Sequence, residues 1–200
     1  EENIHGYFRG KTSGLPYEQA LRRYSIPSNW QNWGAYHERF DLGREANEAN
    51  RFGWIVEIDP FDPTSVPVKR TALGRFKHEG AGNVVNRDGR LVIYSGDDQR
   101  FDYVYKFVTA GVVDRTDRAA NRDLLDHGTL YVARFAADGT GEWLPLVHGQ
   151  GKLVAPQFMD QGHVLIHARL AADELGATRM DRPEDIEVSP RTGKVYLMLT

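Results

Sequence analysis

From residue 52 onward, the sequence alternates short runs of β-branched and aromatic residues with clusters rich in Gly, Pro and Asp. Such runs favour β-strands, and the clusters between them favour tight turns. Asp138-Gly-Thr-Gly141 and Ser189-Pro-Arg-Thr-Gly193 are two of these turn sequences. The pattern predicts an all-β chain built from hairpins, with strands at residues 52–59, 66–71, 91–95, 103–108, 129–135, 143–147, 186–188 and 195–199.

Consecutive hairpins of this kind are compatible with a β-propeller, a β-sandwich or a barrel. Residues 186–196 favour the propeller, because a strand, a Pro-x-x-Gly turn and a strand rich in Val, Tyr and Leu are typical of one blade hairpin. A strict repeat of about 40 residues is not visible, but a propeller of unequal blades would hide one. One helix is predicted at residues 163–175, where apolar residues recur at helical spacing.

The first 51 residues lack this strand pattern. Gly, Pro, Asn and Trp occur there in mixed order, and residues 38–51 are almost entirely polar. Only residues 16–24 have the spacing of a short helix. We therefore expect one domain, residues 1–200, with an irregular insertion at 1–51 and propeller-blade strands at 52–200.

The composition excludes several kinds of site. The chain has no Cys, so these residues contain no disulfide, Cys-type zinc site, iron–sulfur ligand or thiol nucleophile. No apolar run approaches the roughly 18–20 residues that a transmembrane helix needs. A net charge of -3 gives no overall basic field for nucleic acid. Metal chemistry in this chain would therefore use oxygen and imidazole ligands.

Two groups of residues offer the oxygen donors that hard cations prefer. Glu1, Glu2 and Asn3 place two carboxylates beside an amide oxygen, although terminal acidic residues are usually only solvated. Asp97 and Asp98 follow an apolar strand and would suit calcium, but they do not match an EF-hand loop and would equally cap a turn. Spacing alone leaves both alternatives open for each group.

Two further groups combine both signs of charge near strand ends, where loops often carry function. In Lys77-His-Glu79-Gly80, a carboxylate beside an imidazole has the groups for metal binding or proton exchange. A second His at zinc-site spacing is missing, so a charged turn is slightly favoured. In Arg182-Pro-Glu184, the guanidinium fork suits a phosphate oxygen, and a structural ion pair fits the same spacing.

Lys106 and two histidines are also candidates. Lys106 stands within an apolar strand, where its ammonium needs either an anionic partner or a route to the sheet edge. His163 and His167 lie four residues apart on the predicted helix. Because no third ligand is nearby, a polar helix edge is favoured over a metal site.

Several long segments, in consistent order, resemble the PhoX family of alkaline phosphatases, and the resemblance runs from residue 1 to residue 200. These segments are residues 52–81, Gly96-Asp-Asp-Gln-Arg-Phe-Asp-Tyr-Val-Tyr-Lys-Phe107, Leu124-Leu-Asp-His-Gly-Thr-Leu-Tyr-Val-Ala-Arg-Phe135 and Met180-Asp-Arg-Pro-Glu-Asp-Ile-Glu187. The resemblance implies a β-propeller whose central channel holds iron and calcium ions that act together on a phosphate ester. It also implies a periplasmic or secreted protein, and we expect a monomer that hydrolyses small phosphate esters.

The resemblance further implies roles for particular residues. Glu1 and Glu2 match part of the family's Cys-Glu-Glu-Asn motif, and Glu79 matches its His-Glu-Gly motif. Arg182 with Glu184 matches the Arg-Pro-Glu pair, so Arg182 would be the catalytic contact to phosphate. The implied metal ligands are Glu1, Glu2, Glu79, Asp97 and Glu184, and the implied phosphate contacts are Arg182, Asn3 and Lys106.

The family pattern extends beyond both ends of this chain. Its motif has a Cys immediately before the position of Glu1, and further blades follow the position of Thr200. We therefore expect these residues to form an internal part of a longer enzyme and to be inactive alone. The alternative is a propeller that binds calcium or a partner protein and catalyses nothing.

Overall fold

The computed structural model describes all 200 residues and consists mainly of antiparallel β-structure. A five-stranded sheet, β3 to β7, pairs each strand with the next one along the chain, and two further ladders pair β1 with β2 and β8 with β9. The predicted hairpin organisation is therefore confirmed. The strands are β1 (Val56–Glu57), β2 (Val68–Lys69), β3 (His78–Val85), β4 (Arg90–Asp97), β5 (Val104–Val112), β6 (Gly128–Phe135), β7 (Gly141–Pro145), β8 (Pro183–Val188) and β9 (Val195–Leu199).

Asp-Gly turns close two hairpins of the large sheet. Gly89 between β3 and β4 and Gly139 between β6 and β7 both have a φ of 84°, a conformation that glycine adopts without steric cost. Asp138 accepts the backbone N–H of Thr140 at 2.9 Å. Local turn chemistry therefore sets the register of these strand pairs.

One face of the large sheet carries the main hydrophobic core. Ile93, Phe107 and Leu130 lie side by side on β4, β5 and β6 and are almost fully buried. Helices α2 (Gln161–Ile166) and α3 (Ala168–Leu175) contribute to the same core. The prediction of one continuous helix at 163–175 is wrong. The backbone of His167 leaves the helical region and separates two helices.

The opposite face of the sheet packs against β8, whose Ile186 shares an apolar cluster with Val104 and Ala133. Gly96 permits the close approach, because a Cβ there would lie only 2.2 Å from the carbonyl oxygen of Pro183. A Cβ on Gly82 would lie 2.2 Å from the carbonyl oxygen of Ile186. Gly96 brings the start of β8, next to Arg182, against the end of β4, and Gly82 brings the middle of β8 against β3.

Gly96→Ala is expected to destabilise the protein by about 1–3 kcal/mol, because backbone atoms of Pro183 and Glu184 must move to admit the methyl group. Chemical denaturation measures the loss. Gly111→Ala is the matched control, since a Cβ at this β5 position would meet only the end of the Leu124 side chain, at 3.2 Å. Equal stability of the two variants would contradict this close packing.

Residues 1–51 form a mainly non-β segment with its own apolar cluster. Helix α1 (Glu18–Arg23) confirms the predicted short helix, and 3₁₀ turns occupy Ile4–Gly6, Trp33–Ala35, Glu38–Phe40 and Glu48–Arg51. Buried Arg75 connects this segment to the sheet by donating to the carbonyls of Phe52 and Ala49, at 2.8 and 2.9 Å. None of the helices has the length and apolar character of a membrane-spanning segment.

The strands predicted at 52–59 and 66–71 are much shorter than expected. Only two residues pair in each, and both of these strands are exposed. Pro60, Pro63 and Pro67 lie between or next to them, and proline cannot donate a hydrogen bond to a ladder. The strand predicted at 186–188 is longer than expected, because β8 begins at Pro183.

Candidate functional site

Three carboxylates from distant parts of the chain meet at one end of the large sheet. Oxygen atoms of Glu2, Glu79 and Asp98 all lie within 4.8 Å of one another. Glu79 is on β3 opposite Gly96 of β4, and Asp98 directly follows β4. The backbone N–H of Asp98 donates to the carbonyl of Lys77 at 3.0 Å. The pairing of β3 with β4 therefore fixes two of the three carboxylates relative to each other.

The third carboxylate is placed by the N-terminal segment. The side chain of Glu1 accepts the backbone N–H of Gly53 at 2.7 Å, which docks the first residues against the rest of the chain. Asn3 donates its amide Nδ2 to Glu2 Oε2, also at 2.7 Å. The structure thus brings Glu2 into the carboxylate cluster, while Glu1 is an anchor outside it and Asn3 supports Glu2.

Arg182 lies against the cluster from the β8 side. Its Nε and Nη2 donate to the two oxygens of Asp98 at 3.0 and 2.9 Å, and Nη2 also lies 2.6 Å from Glu184 Oε1. Its Nη1 makes no hydrogen bond, and the side chain is 42% exposed. A φ of 42° places Arg182 in the left-handed region, a costly conformation for a residue with a Cβ.

The backbone around Arg182 is held by the loop that follows β4. Met180 and Asp102 form an antiparallel bridge, in which the N–H of Met180 donates to the carbonyl of Asp102 at 2.9 Å. The N–H of Phe101 donates to the carbonyl of Met180 at 2.7 Å. These bonds align the Arg182 side chain with Asp98 and maintain its unusual backbone conformation.

Negative charge exceeds positive charge in this cluster. Burial raises the pKa of Glu2, and the neighbouring Glu79 and Asp98 raise it further. Burial, followed by the charges of Asp98 and Glu184, raises the pKa of Glu79. Arg182 is the ion-pair partner of Asp98 and Glu184 but of neither Glu2 nor Glu79. The carboxylate oxygens therefore suit a hard cation, whose positive charge would offset the excess negative charge of the cluster.

Asp97 and Asp98 are adjacent but face different surroundings. The side chain of Asp97 is completely buried beneath the cluster, where Arg169 donates to both of its oxygens. The resemblance implied a ligand role for Asp97, whereas the structure places Asp98 beside Glu79. Successive side chains of an extended segment face opposite sides, but the sequence does not show which aspartate faces which side.

Lys106 contacts aromatic rings instead of the carboxylate cluster. It lies on β5 between Tyr94 and Tyr131 of the neighbouring strands. Its Nζ is 4.5 Å from the ring centroid of Trp143 and 5.1 Å from that of Tyr131. Partial burial lowers the pKa of Lys106. Aromatic faces, and not an anionic partner, therefore compensate its charge.

His78 is a core residue despite its position beside Glu79. Its Nε2 donates to the carbonyl of Gly74 at 2.9 Å, and its Nδ1 lies 3.0 Å from Ser95 Oγ. The ring stacks on Phe76 at 3.6 Å between centroids. Burial lowers the pKa of His78 to about 3. The charged turn favoured by the spacing is wrong here, because Glu79 belongs to strand β3 and His78 is buried.

The other two candidate histidines, His163 and His167, lie outside the carboxylate cluster. The rings of His163 and His167 are 4.6 Å apart between centroids, and they belong to no cluster of three metal-ligating side chains. His167 is buried, and its Nδ1 has no hydrogen-bond partner. Burial, together with the charges of His163 and Arg75, lowers the pKa of His167 to about 3.

His167 is expected to make the protein less stable in acid. Because its folded-state pKa of about 3 lies below the ordinary value of 6.5, the unfolded chain takes up the proton first. The stability is present above pH 6.5 and falls as the pH drops towards 3, by about 2 kcal/mol between pH 7 and 5. Denaturation midpoints for His167→Gln should show a shallower pH dependence than wild type. The exposed control His37→Gln should keep the wild-type slope, and identical slopes for both variants would contradict the prediction.

Comparisons with known proteins agree on one family. The family model described as alkaline phosphatase PhoX matches residues 1–200. Among solved structures, the chain is similar to Pseudomonas fluorescens PhoX in complex with vanadate, a transition state analogue, with 51% sequence identity and a TM-score of 0.94 over 98% of this chain. The chain covers 36% of the length of that structure. A comparison with curated protein sequences gives no match. On the family match and this likeness, the chain belongs to the PhoX family of alkaline phosphatases.

Proposed function

We propose that the protein containing this chain is a metal-dependent phosphomonoesterase that hydrolyses small phosphate esters. The observation that carries the proposal is the meeting of Glu2, Glu79 and Asp98 with the partly exposed guanidinium of Arg182. Carboxylates for cations next to an Arg fork form a set that suits phosphoryl transfer. The vanadate complex of the similar PhoX structure supports the same reaction class.

The proposed metal ions are calcium and iron, held by Glu2, Glu79 and Asp98 with Glu184 beside them. A carboxylate oxygen has more than one lone-pair direction, so Asp98 can accept Arg182 and still offer a lone pair to a cation. Bound cations would neutralise phosphoryl oxygens and lower the pKa of an attacking water or hydroxyl. Asp98 takes the role that the resemblance implied for Asp97, since Asp97 is enclosed by Arg169.

Residues of this chain would bind and orient the phosphate. Arg182 is fixed by two hydrogen bonds to Asp98, so its free Nη1 projects from a guanidinium of set orientation. Such a donor stabilises the charge that develops on phosphoryl oxygens without reorganising during the reaction. Asn3 would act through Glu2, to which its amide is bonded. The ring contacts of Lys106 do not favour a direct role in phosphate binding.

A β-propeller is the proposed architecture of the whole protein. Strand β8 packs against β3 and β4 of the large sheet, as a strand of one blade packs on the next. Glu79 at the start of β3, Asp98 after β4 and Glu184 at the start of β8 lie at the same end of these sheets. That end would be one mouth of a central channel. The family resemblance supports a monomer located in the periplasm or secreted, and a chain of residues 1–200 alone that is inactive.

Hydrolysis of p-nitrophenyl phosphate by the full-length protein tests the proposed function. We expect hydrolysis by the purified protein, loss of activity on chelation, and recovery when calcium and iron are restored together. Activity that survives complete metal removal would contradict metal dependence. Stabilisation by calcium without hydrolysis under any metal loading would instead support a non-catalytic calcium-binding propeller.

A further inference from the structure

A completely buried ion pair lies directly beneath the carboxylate cluster. Arg169 on α3 donates its Nε to Asp97 Oδ2 at 2.8 Å and its Nη2 to Asp97 Oδ1. Both side chains have no exposed surface. Removing two charges from water is expensive, and such a pair contributes little net stability compared with apolar residues of similar volume. Its presence next to Asp98 therefore calls for an explanation other than stability.

Asp97 connects the two strands that carry the cluster. Besides Arg169, its Oδ1 accepts the backbone N–H of Lys77 at 3.1 Å. The carbonyl of Lys77 in turn accepts the backbone N–H of Asp98 at 3.0 Å. Lys77 is two residues before Glu79, and Asp97 is immediately before Asp98. Together with the β3–β4 ladder, these two bonds hold the backbones of Glu79 and Asp98 at their observed separation.

The guanidinium of Arg169 is held in one orientation by its remaining contacts. Its Nη1 donates to the carbonyl of Arg23 and to Gln99 Oε1, both at 3.2 Å. Gln99 Oε1 also accepts the ammonium of Lys77 at 2.7 Å, and the guanidinium lies 4.9 Å from the ring centroid of Tyr24. Its Nη2 also lies 3.5 Å from the buried Asp102. A guanidinium with contacts on every nitrogen holds its carboxylate partner in one position.

We propose that Arg169 is a positioning residue for the cation site: through Asp97 it fixes the spacing between Glu79 and Asp98, and thereby the affinity of the cluster for a divalent cation. The inference rests on the proposed function, because it assumes that this cluster binds a cation. Arg169 touches neither the cation site nor the substrate. Loss of the fork is expected to weaken cation binding by about 10–100-fold, the range found for residues that orient metal ligands.

Calcium titration of the metal-free full-length protein by calorimetry tests the proposal. The first variant is Arg169→Lys, which keeps the charge but loses the second donor to Asp97. The second is Arg169→Met combined with Asp97→Asn. Asp102, the other carboxylate near Arg169, keeps its ion pair with Arg23, so this variant is expected to fold. Both should bind calcium more weakly than wild type, with the larger loss in the double variant.

Arg70→Met is the matched control for a purely structural effect. Arg70 is 3% exposed and pairs with Glu57 and Asp126, which belong to no part of the carboxylate cluster. This variant should lose stability yet keep the calcium affinity within about twofold. Wild-type affinity in the folded double variant would overturn the positioning role of Arg169. A wild-type protein that binds no calcium would contradict the cation site itself, and with it this proposal.

Discussion

Arg182→Met in the full-length protein is expected to lower kcat/KM for an aryl phosphate by about 10³-fold, the scale seen when a preorganised donor to a transition-state oxygen is removed. The change deletes the free Nη1 donor and also the fork that holds Asp98. Arg182→Lys should recover only a small part of the activity, because an ammonium cannot bond Asp98 at two oxygens and still present an oriented donor.

Arg100→Met is the control for a general effect of charge near the same loop. Arg100 is 71% exposed and lies 3.4 Å from the likewise exposed Asp181. Its replacement should leave kcat/KM nearly unchanged, because an exposed ion pair of this kind contributes little. An Arg182→Met enzyme as active as the Arg100→Met enzyme would remove Arg182 from the proposed phosphate site.

Glu79→Gln is expected to abolish hydrolysis and to weaken calcium binding by at least about 100-fold, since one of the three ligands loses its charge. The metal-free protein should respond in the opposite direction. Burial and the charges of Asp98 and Glu184 raise the pKa of Glu79, so its ionised form is unfavourable without a cation. A neutral amide relieves this repulsion, and the metal-free variant should unfold at a higher temperature than wild type.

Glu187→Gln provides the comparison for Glu79→Gln. Glu187 is an exposed residue of β8 outside the carboxylate cluster, so its replacement should alter neither calcium affinity nor hydrolysis. Thermal unfolding with and without calcium separates the two effects. If Glu79→Gln kept the calcium-induced stabilisation of wild type, Glu79 would not be a ligand.

Strands β4 to β7 of the large sheet are predictable because their apolar residues and turn sequences agree, whereas β3 (His78–Val85) is not predicted because its start has the charged and small residues of a turn. In β4, β5 and β6 the buried Ile93, Phe107 and Leu130 meet across the ladder, and glycine turns close two of the hairpins. The first ladder is shorter than predicted, since prolines interrupt residues 52–71 and the four residues that do pair are exposed. At the break near His167, the hydroxyl of Tyr24 in the N-terminal segment donates to the carbonyl of Ile166 at 3.3 Å, a contact that local spacing does not encode.

The candidate site is predictable only where a motif fixes a residue. Glu79, Arg182 and Glu184 follow from the resemblance, and the structure brings them together. The choices between Glu1 and Glu2 and between Asp97 and Asp98 depend on which neighbour faces the cluster, and that is decided by backbone contacts of Gly53 and Lys77. Arg169 has no sequence signal at all, because its partner lies 72 residues away.

The proposed cation site is tested most directly by an anomalous-difference map from crystals of the full-length protein grown with calcium and iron. We expect a metal peak bonded to the carboxylates of Glu2, Glu79 and Asp98, at about 2.3–2.6 Å for calcium. Arg182 should remain bonded to Asp98 beside that peak. Metal peaks elsewhere, with these three carboxylates bound only by protein donors, would contradict the proposed cation site.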